Sequence, residues 1–331
     1  MIKNLHIKNF KSIKELKLDC SRINLFIGEP NTGKSNLLEA LGLFNVEHDT
    51  SIKKYIRFDS IYDLIYRQDT NKDIEIDTDE FKLKFKFGNL RDLIVSRKNK
   101  PEVLFSCRYN EDGKPNERVM LKTDTEFAGE KVLNILFYKF KIIDNPNIYK
   151  PRYLTPPFGE NIFAVIRNNN LLSDYVNNLF RHYGYEVIND ISKKKIVLLE
   201  GKEKSGRTII PYNMVSDTIQ RLIFYTAILE TNTNSTIILE EPEAHIFPYY
   251  NKYLAERISL YNENQFFIST HNPIFVNNII DKTKYDELRV FITYYKNKQT
   301  KVKLVTQDEL EKLEYFGENI FINLNKILEN T

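Results

Sequence analysis

The chain has 331 residues, 42% hydrophobic and 28% charged, with 48 basic against 45 acidic side chains. That composition excludes an extended disordered tail and a collagen-like repeat, while a net charge of +3 neither demands nor excludes a nucleic-acid partner. No apolar run approaches the roughly 18 residues of a membrane span, and Cys20 and Cys107 are too few for a disulfide framework or a cysteine-rich zinc site, so a reduced cytoplasmic protein with no membrane partner is expected. Glycine is scarce, 11 residues against the roughly 7% of an average protein. A glycine where backbone chemistry requires one is correspondingly informative.

Along the chain, residues 2–28 predict three short strands, the last being the apolar run Ile23–Ile27 that ends at Gly28. Leu37, Leu38, Leu41 and Phe44 recur at helical spacing and predict a helix over 34–44 with one buried face. Residues 81–87 alternate Phe, Lys, Leu, Lys, Phe, Lys, Phe, the pattern of a half-solvated antiparallel strand, and 103–107 predict another. The proline-rich stretch 151–157 marks a break, after which 162–166 and 175–180 fit a helical pair. A helix is predicted over 213–230, and two short apolar strands over 236–239 and 265–269. The pattern is α/β, a parallel core split by a large insertion.

Gly28-Glu29-Pro30-Asn31-Thr32-Gly33-Lys34-Ser35 matches the P-loop spacing, between a predicted strand and a predicted helix. The glycines let successive N–H groups turn toward phosphates, and the helix adds its positive end. Gly28, Asn31, Thr32, Gly33 and Lys34 are therefore expected at an ATP triphosphate, with Lys34 reaching the β- and γ-phosphates and the Ser35 hydroxyl on Mg²⁺. The run Ile237-Ile238-Leu239-Glu240-Glu241-Pro242 puts two acids after a buried strand. Glu240 suits the Mg²⁺ shell and Glu241 the attacking water. Thirty residues past Glu241, His271 follows another apolar strand.

Together with the start Leu5-His6-Ile7-Lys8-Asn9-Phe10-Lys11-Ser12, Asn36 after the P-loop serine, and the runs Leu239–His245 and Ser269–Pro273, this order resembles the ABC-type ATPases of the RecF/SMC and OLD-like group, in particular small prokaryotic "AAA family" members. The resemblance implies a P-loop NTPase with an ABC-ATPase-like head, N-terminal antiparallel strands, a mixed or parallel core sheet and an inserted α+β subdomain. The head would comprise 1–45 and 205–331, and the insertion 46–204, with a helical part near 158–190. It also implies a homodimer with composite ATP sites, in which Ser216 of one head caps the nucleotide of the other. Asp217 and Thr218 stand where the family prefers glycine.

By the same resemblance His271 contacts the γ-phosphate, Lys11, Ser12 and Asn36 lie close to the nucleotide, and 244–248 touch the opposite subunit. Catalysis would fall to Lys34, Glu241 and His271. Gln68 is one candidate for the family's Q-loop glutamine, and an ordinary loop residue is the other reading. The 60 residues after His271 lack a spaced acid cluster, so a fused TOPRIM nuclease is not expected; a separately encoded nuclease or effector is the implied partner. Arg97–Lys100 and Lys193–Lys195 read first as solvated turns, and a DNA partner is implied mainly by the resemblance. Two functions remain: an ATP-hydrolysing dimer in DNA repair or anti-phage defence, or a low-turnover nucleotide switch that recruits an effector.

Overall fold

The computed structural model describes residues 1–47, 51–88, 90–99, 102–120, 133–143, 152–190, 195–200, 208–315 and 320–329. In chain order its elements are β1 Asn4–Phe10, β2 Ile13–Asp19, β3 Ile23–Ile27, α1 Lys34–Gly42, β4 Ile74–Asp77, β5 Phe81–Lys86, β6 Asp92–Arg97, β7 Val103–Tyr109, β8 Pro115–Met120 and β9 Ile135–Tyr138. There follow α2 Ile162–Asn168, α3 Asn170–His182, β10 Tyr185–Asp190, β11 Lys195–Glu200, β12 Thr208–Pro211, α4 Asp217–Thr231, β13 Thr236–Glu240, α5 Pro248–Leu260 and β14 Gln265–Ser269. The chain closes with α6 Pro273–Lys282, β15 Leu288–Lys296, β16 Gln299–Leu304, α7 Gln307–Tyr315 and α8 Leu324–Glu329.

The core sheet has the order β16-β15-β3-β14-β13-β9. All its pairings are parallel except β15 with β16. Strands β3 and β14 are buried at every position, as expected where both faces of a parallel sheet are covered. The period of two divides their side chains between two cores. Phe26, Phe267, Phe291, Ile238 and Phe137 face α1 and the N-terminal strands, whereas Leu25, Ile27, Ile237, Phe266 and Ile268 face the helical side. Phe26 stacks between Phe267 and Phe291, with ring centroids 6.2 and 5.2 Å away.

A second sheet, order β2-β1-β4-β5-β6-β7-β8, is antiparallel throughout. Residues 74–120, which the resemblance assigns to the insertion 46–204, continue the sheet that β1 and β2 begin, and β9 is an edge of the core sheet. Periodicity reports which face of a strand is buried but not which strand it pairs with. Among the described residues, helices α2 and α3 and strands β10 and β11 also fall in that region, and β12, which completes their small sheet, lies just past it. Helix α4 starts at Asp217, later than the apolar spacing suggests. Tyr212–Met214 form a separate 3₁₀ turn, and Ser216 sets the boundary by accepting from the Ile219 N–H. Helix α1 likewise ends at Gly42, and Leu43–Glu47 continue as a 3₁₀ helix.

Among the described residues no helix is long and apolar enough to cross a membrane. Cys20 and Cys107 are both buried, and no disulfide joins them. Of the two basic clusters, Lys100, Lys193 and Lys194 lie outside the described residues.

Candidate nucleotide site

Strands β3, β13 and β14 end side by side. Glu240 is level with Ser269, and Ser269 with Phe26, so three loops leave the same carboxyl edge of the parallel sheet, where open α/β sheets hold ligands. The first loop is Gly28–Ser35. Gly28 has φ +146 and Gly33 φ +99, and Gly33 stands at the N-cap of α1, accepting from the Leu37 N–H. Both values belong to glycine. Asn31 adds a third left-handed residue at φ +62, at the exposed tip.

The loop is braced by residues from the far end of the chain. Thr293 on β15 bonds the Thr32 hydroxyl at 2.8 Å and donates to the Ile27 carbonyl. Thr300 on β16 donates to the Thr32 carbonyl at 2.9 Å and meets the Ser12 hydroxyl at 2.7 Å. Asn36 donates to that same hydroxyl. Lys34 is buried, and its ammonium donates to the carbonyls of Gly28 at 2.9 Å and Glu29 at 2.7 Å. Burial pulls its pKa down to about 8, against the opposing charge of Glu241. Ser35 follows on the first turn of α1.

The second loop follows β13. Glu241 adopts φ +45, a left-handed conformation held by its N–H donating to the Ser269 carbonyl and by its carbonyl accepting from Ala244. This turn aims its carboxylate at the third loop, where His271 Nε2 lies 3.5 Å from Glu241 Oε1. Burial lowers the His271 pKa, the charge of Lys34 adds to that, and Glu241 opposes both. The imidazole is therefore neutral near pH 7, and the contact is polar rather than ionic. Lys34, Glu241 and His271 act on one another electrostatically, so three predicted site residues converge.

Sequence reasoning passed over Glu243, although it lies in the same acidic run. It is buried, and its Oε1 accepts from Thr270 Oγ1 at 2.6 Å and from the His271 N–H at 3.2 Å, tying the second loop to the third.

Glu240 points elsewhere. Its Oε1 accepts from Arg57 Nη2 at 3.2 Å and its Oε2 lies 3.9 Å from Lys139 Nζ. Arg57 also donates to the fully buried Glu39 of α1, which pairs in addition with Lys11. Lys11 thus reaches the site through Glu39. Gln68 commits its side-chain amide to Asp63, and the position beside Glu240 belongs to Lys139. Among the described residues no group of three or more His, Cys, Asp or Glu side chains could hold a metal. Ser35 and Glu240 offer two hard oxygen donors, which suits Mg²⁺ arriving with phosphate oxygens. Ser216 caps its own helix rather than joining the phosphate loop, and Thr218 beside it donates to the His245 carbonyl.

Two family models match the chain: "AAA ATPase domain" over residues 1–154 and "AAA domain, putative AbiEii toxin, Type IV TA system" over 136–277. An "ATP/GTP phosphatase" of Helicobacter pylori is 23% identical, covering 97% of each chain. An uncharacterized protein of Methanocaldococcus jannaschii is 37% identical over 90 residues, 23% of this chain and 40% of its own length. Among solved structures, an SMC head bound to the C-terminal winged-helix domain of ScpA is 17% identical, with TM-score 0.54 over 94% of this chain and 99% of the other. The Pyrococcus furiosus SMC head with an extended coiled coil, bound to the C-terminal domain of ScpA, is 15% identical, with TM-score 0.51 over 96% and 99%. The likeness to these heads is one of fold.

Proposed function

From the premise that this chain is an AAA ATPase of the ABC/SMC-like kind, we propose that it binds ATP at Gly28–Asn36 and hydrolyses it through Glu241 and His271. Lys34 releases the Gly28 and Glu29 carbonyls and turns to the β- and γ-phosphates, while the N-terminus of α1 and the loop N–H groups hold the remaining oxygens. Ser35 and Glu240 would hold Mg²⁺, which supplies charge neutralisation between the β- and γ-phosphates when bound. Glu241 takes a proton from the water that attacks the γ-phosphorus, the bond to the β–γ bridging oxygen breaks, and ADP and phosphate leave. Neutral His271, beside Glu241, would orient water and γ-phosphate.

The observation that carries this reading is the approach of Glu241 to His271 at the edge from which the phosphate loop also leaves. Glu241→Gln is expected to lower steady-state ATP turnover by about 10² or more while leaving ATP affinity intact. Turnover equal to the parent would assign the proton to another group.

Composite sites in a homodimer, with Ser216 of one head on the nucleotide of the other, complete the reading. Their biological setting would be RecF- or OLD-like DNA repair or anti-phage defence, with DNA or a separately encoded nuclease or effector as partner. Asp217 and Thr218 at the start of α4 favour a second reading, a slow nucleotide switch that recruits an effector, because neither lets the backbone approach a phosphate as glycine does. Single-turnover hydrolysis across protein concentrations separates the two. A rate rising with concentration supports the dimeric enzyme, and a negligible rate at every concentration supports the switch.

A further inference from the structure

Strand β9 lies parallel to β13 with Tyr138 level with Leu239, so the next residue of each strand, Lys139 and Glu240, emerge together at the functional edge of the sheet. Lys139 is a largely buried lysine. Its ammonium donates to the Tyr55 carbonyl at 2.7 Å, sits 4.8 Å from the Phe137 ring centroid and faces Glu240 Oε2 at 3.9 Å. The other oxygen of Glu240 is taken by Arg57, whose guanidinium also reaches Glu39. With Lys11 on Glu39, three cations thus surround two carboxylates.

We propose that Lys139 is a resident cation of the metal-facing carboxylate: it holds Glu240 in the nucleotide-free protein, disfavours free divalent metal there, and contributes positive charge to bound triphosphate, so that ATP binding depends only weakly on Mg²⁺. The inference rests on the nucleotide reading above. An ammonium and a guanidinium on the two oxygens of one carboxylate repel a divalent ion and must be displaced before it coordinates. The same two cations attract a tetra-anionic ligand, and the buried setting of Lys139 strengthens that attraction relative to a solvated lysine. A glutamine or any neutral side chain at this position would leave Glu240 with Arg57 alone and remove one positive charge from this edge of the site.

The test compares ATP affinity of the full chain in Mg²⁺ and in EDTA by titration calorimetry. The wild-type ratio is expected to lie within about tenfold, and Lys139→Gln is expected to weaken the EDTA affinity by about tenfold or more while changing the Mg²⁺ affinity by less than about threefold. Lys139→Arg keeps the charge and should restore the wild-type ratio, which a merely structural role would not predict. An unchanged ratio in folded Lys139→Gln would overturn the inference. If that variant does not fold, Glu240→Gln decides. Freed of their carboxylate, Lys139 and Arg57 should bind ATP in EDTA at least as tightly as wild type, and weaker binding would overturn the proposal. Failure of the wild-type protein to bind ATP in either buffer would instead overturn the nucleotide reading, and this inference with it.

Discussion

The carbonyl oxygen of Thr293 lies so close to Gly28 that a β-carbon built on the glycine would stand 2.3 Å from it. Strand β15 therefore sets how tightly the chain can turn as it leaves β3. Because Gly28 also has φ +146, Gly28→Ala meets both backbone strain and a clash with main chain that cannot move aside. The variant is expected to lose about 2–4 kcal/mol in denaturant unfolding and to bind ATP too weakly for calorimetry. Gly88→Ala, where no atom lies within 4 Å, should change neither, and serves as the control.

Thr300 makes a subtler contribution. Its hydroxyl links the Thr32 carbonyl to Ser12, so it fixes the phosphate loop against the first hairpin. Thr300→Val keeps the volume but removes the donor to the Thr32 carbonyl and cuts that link to Ser12, whose hydroxyl keeps Asn36. The expected result is about 1–2 kcal/mol lower stability and ATP affinity reduced by about five- to tenfold, with Thr300→Ser close to wild type. Equal affinities for the valine and serine variants would show that the loop holds its shape without this brace.

These braces mark the limit of what the sequence discloses. The P-loop, the acid pair and His271 are legible because each is a local pattern: an apolar strand, a turn of defined chemistry, and in the first case a helix. Thr293 and Thr300 are ordinary threonines in strands, more than 260 positions from their partners, and nothing local distinguishes them from neighbours. Lys139 and Arg57 become site residues only through the pairing of β9 with β13 and the hydrogen bonds of Arg57 to Glu39 and Glu240. Glutamine is the residue type sought for the Q-loop position, and that search leads to Gln68, although the sheet order puts a lysine beside Glu240. The division of the chain is obscured for the same reason, since a strand's own residues do not reveal that β4 pairs with β1 across the P-loop and α1.

Burial leaves the Lys34 ammonium with a pKa of about 8 before ligand binds. A polyphosphate beside it raises that pKa, so binding above pH 8 must take up a proton. Affinity for ATP should be level below pH 8 and fall above it, approaching tenfold per pH unit by about pH 9. Calorimetry in buffers of differing ionisation enthalpy should show proton uptake over the same range. Flat affinity from pH 7 to 9.5 would mean that Lys34 is fully charged before ATP arrives.

Glu243 provides an internal gauge of the link between the second and third loops. Burial pushes its carboxyl up to about 7 from the ordinary 4.5, the Thr270 and His271 hydrogen bonds oppose that rise, and the charge of Glu241 adds to it. Its Oε2 is buried with no hydrogen-bond partner among the described residues, which suits a carboxyl kept neutral. As pH rises from about 4.5 to about 7, the unfolded chain ionises this group first, so the contribution of the neutral carboxyl to stability is lost across that window and is level above it. The loss is on the order of 3 kcal/mol at most. The amide introduced by Glu243→Gln cannot ionise and keeps an acceptor for Thr270 and His271. Its NH₂ group, left without a partner, carries a pH-independent cost of about 1–3 kcal/mol. Glu243→Gln should therefore be less stable than the parent at pH 5, with the gap closing or reversing by pH 8 in thermal unfolding. Parallel profiles for the two proteins would mean that Glu243 is ionised in the folded state throughout, held by Thr270 and His271 alone.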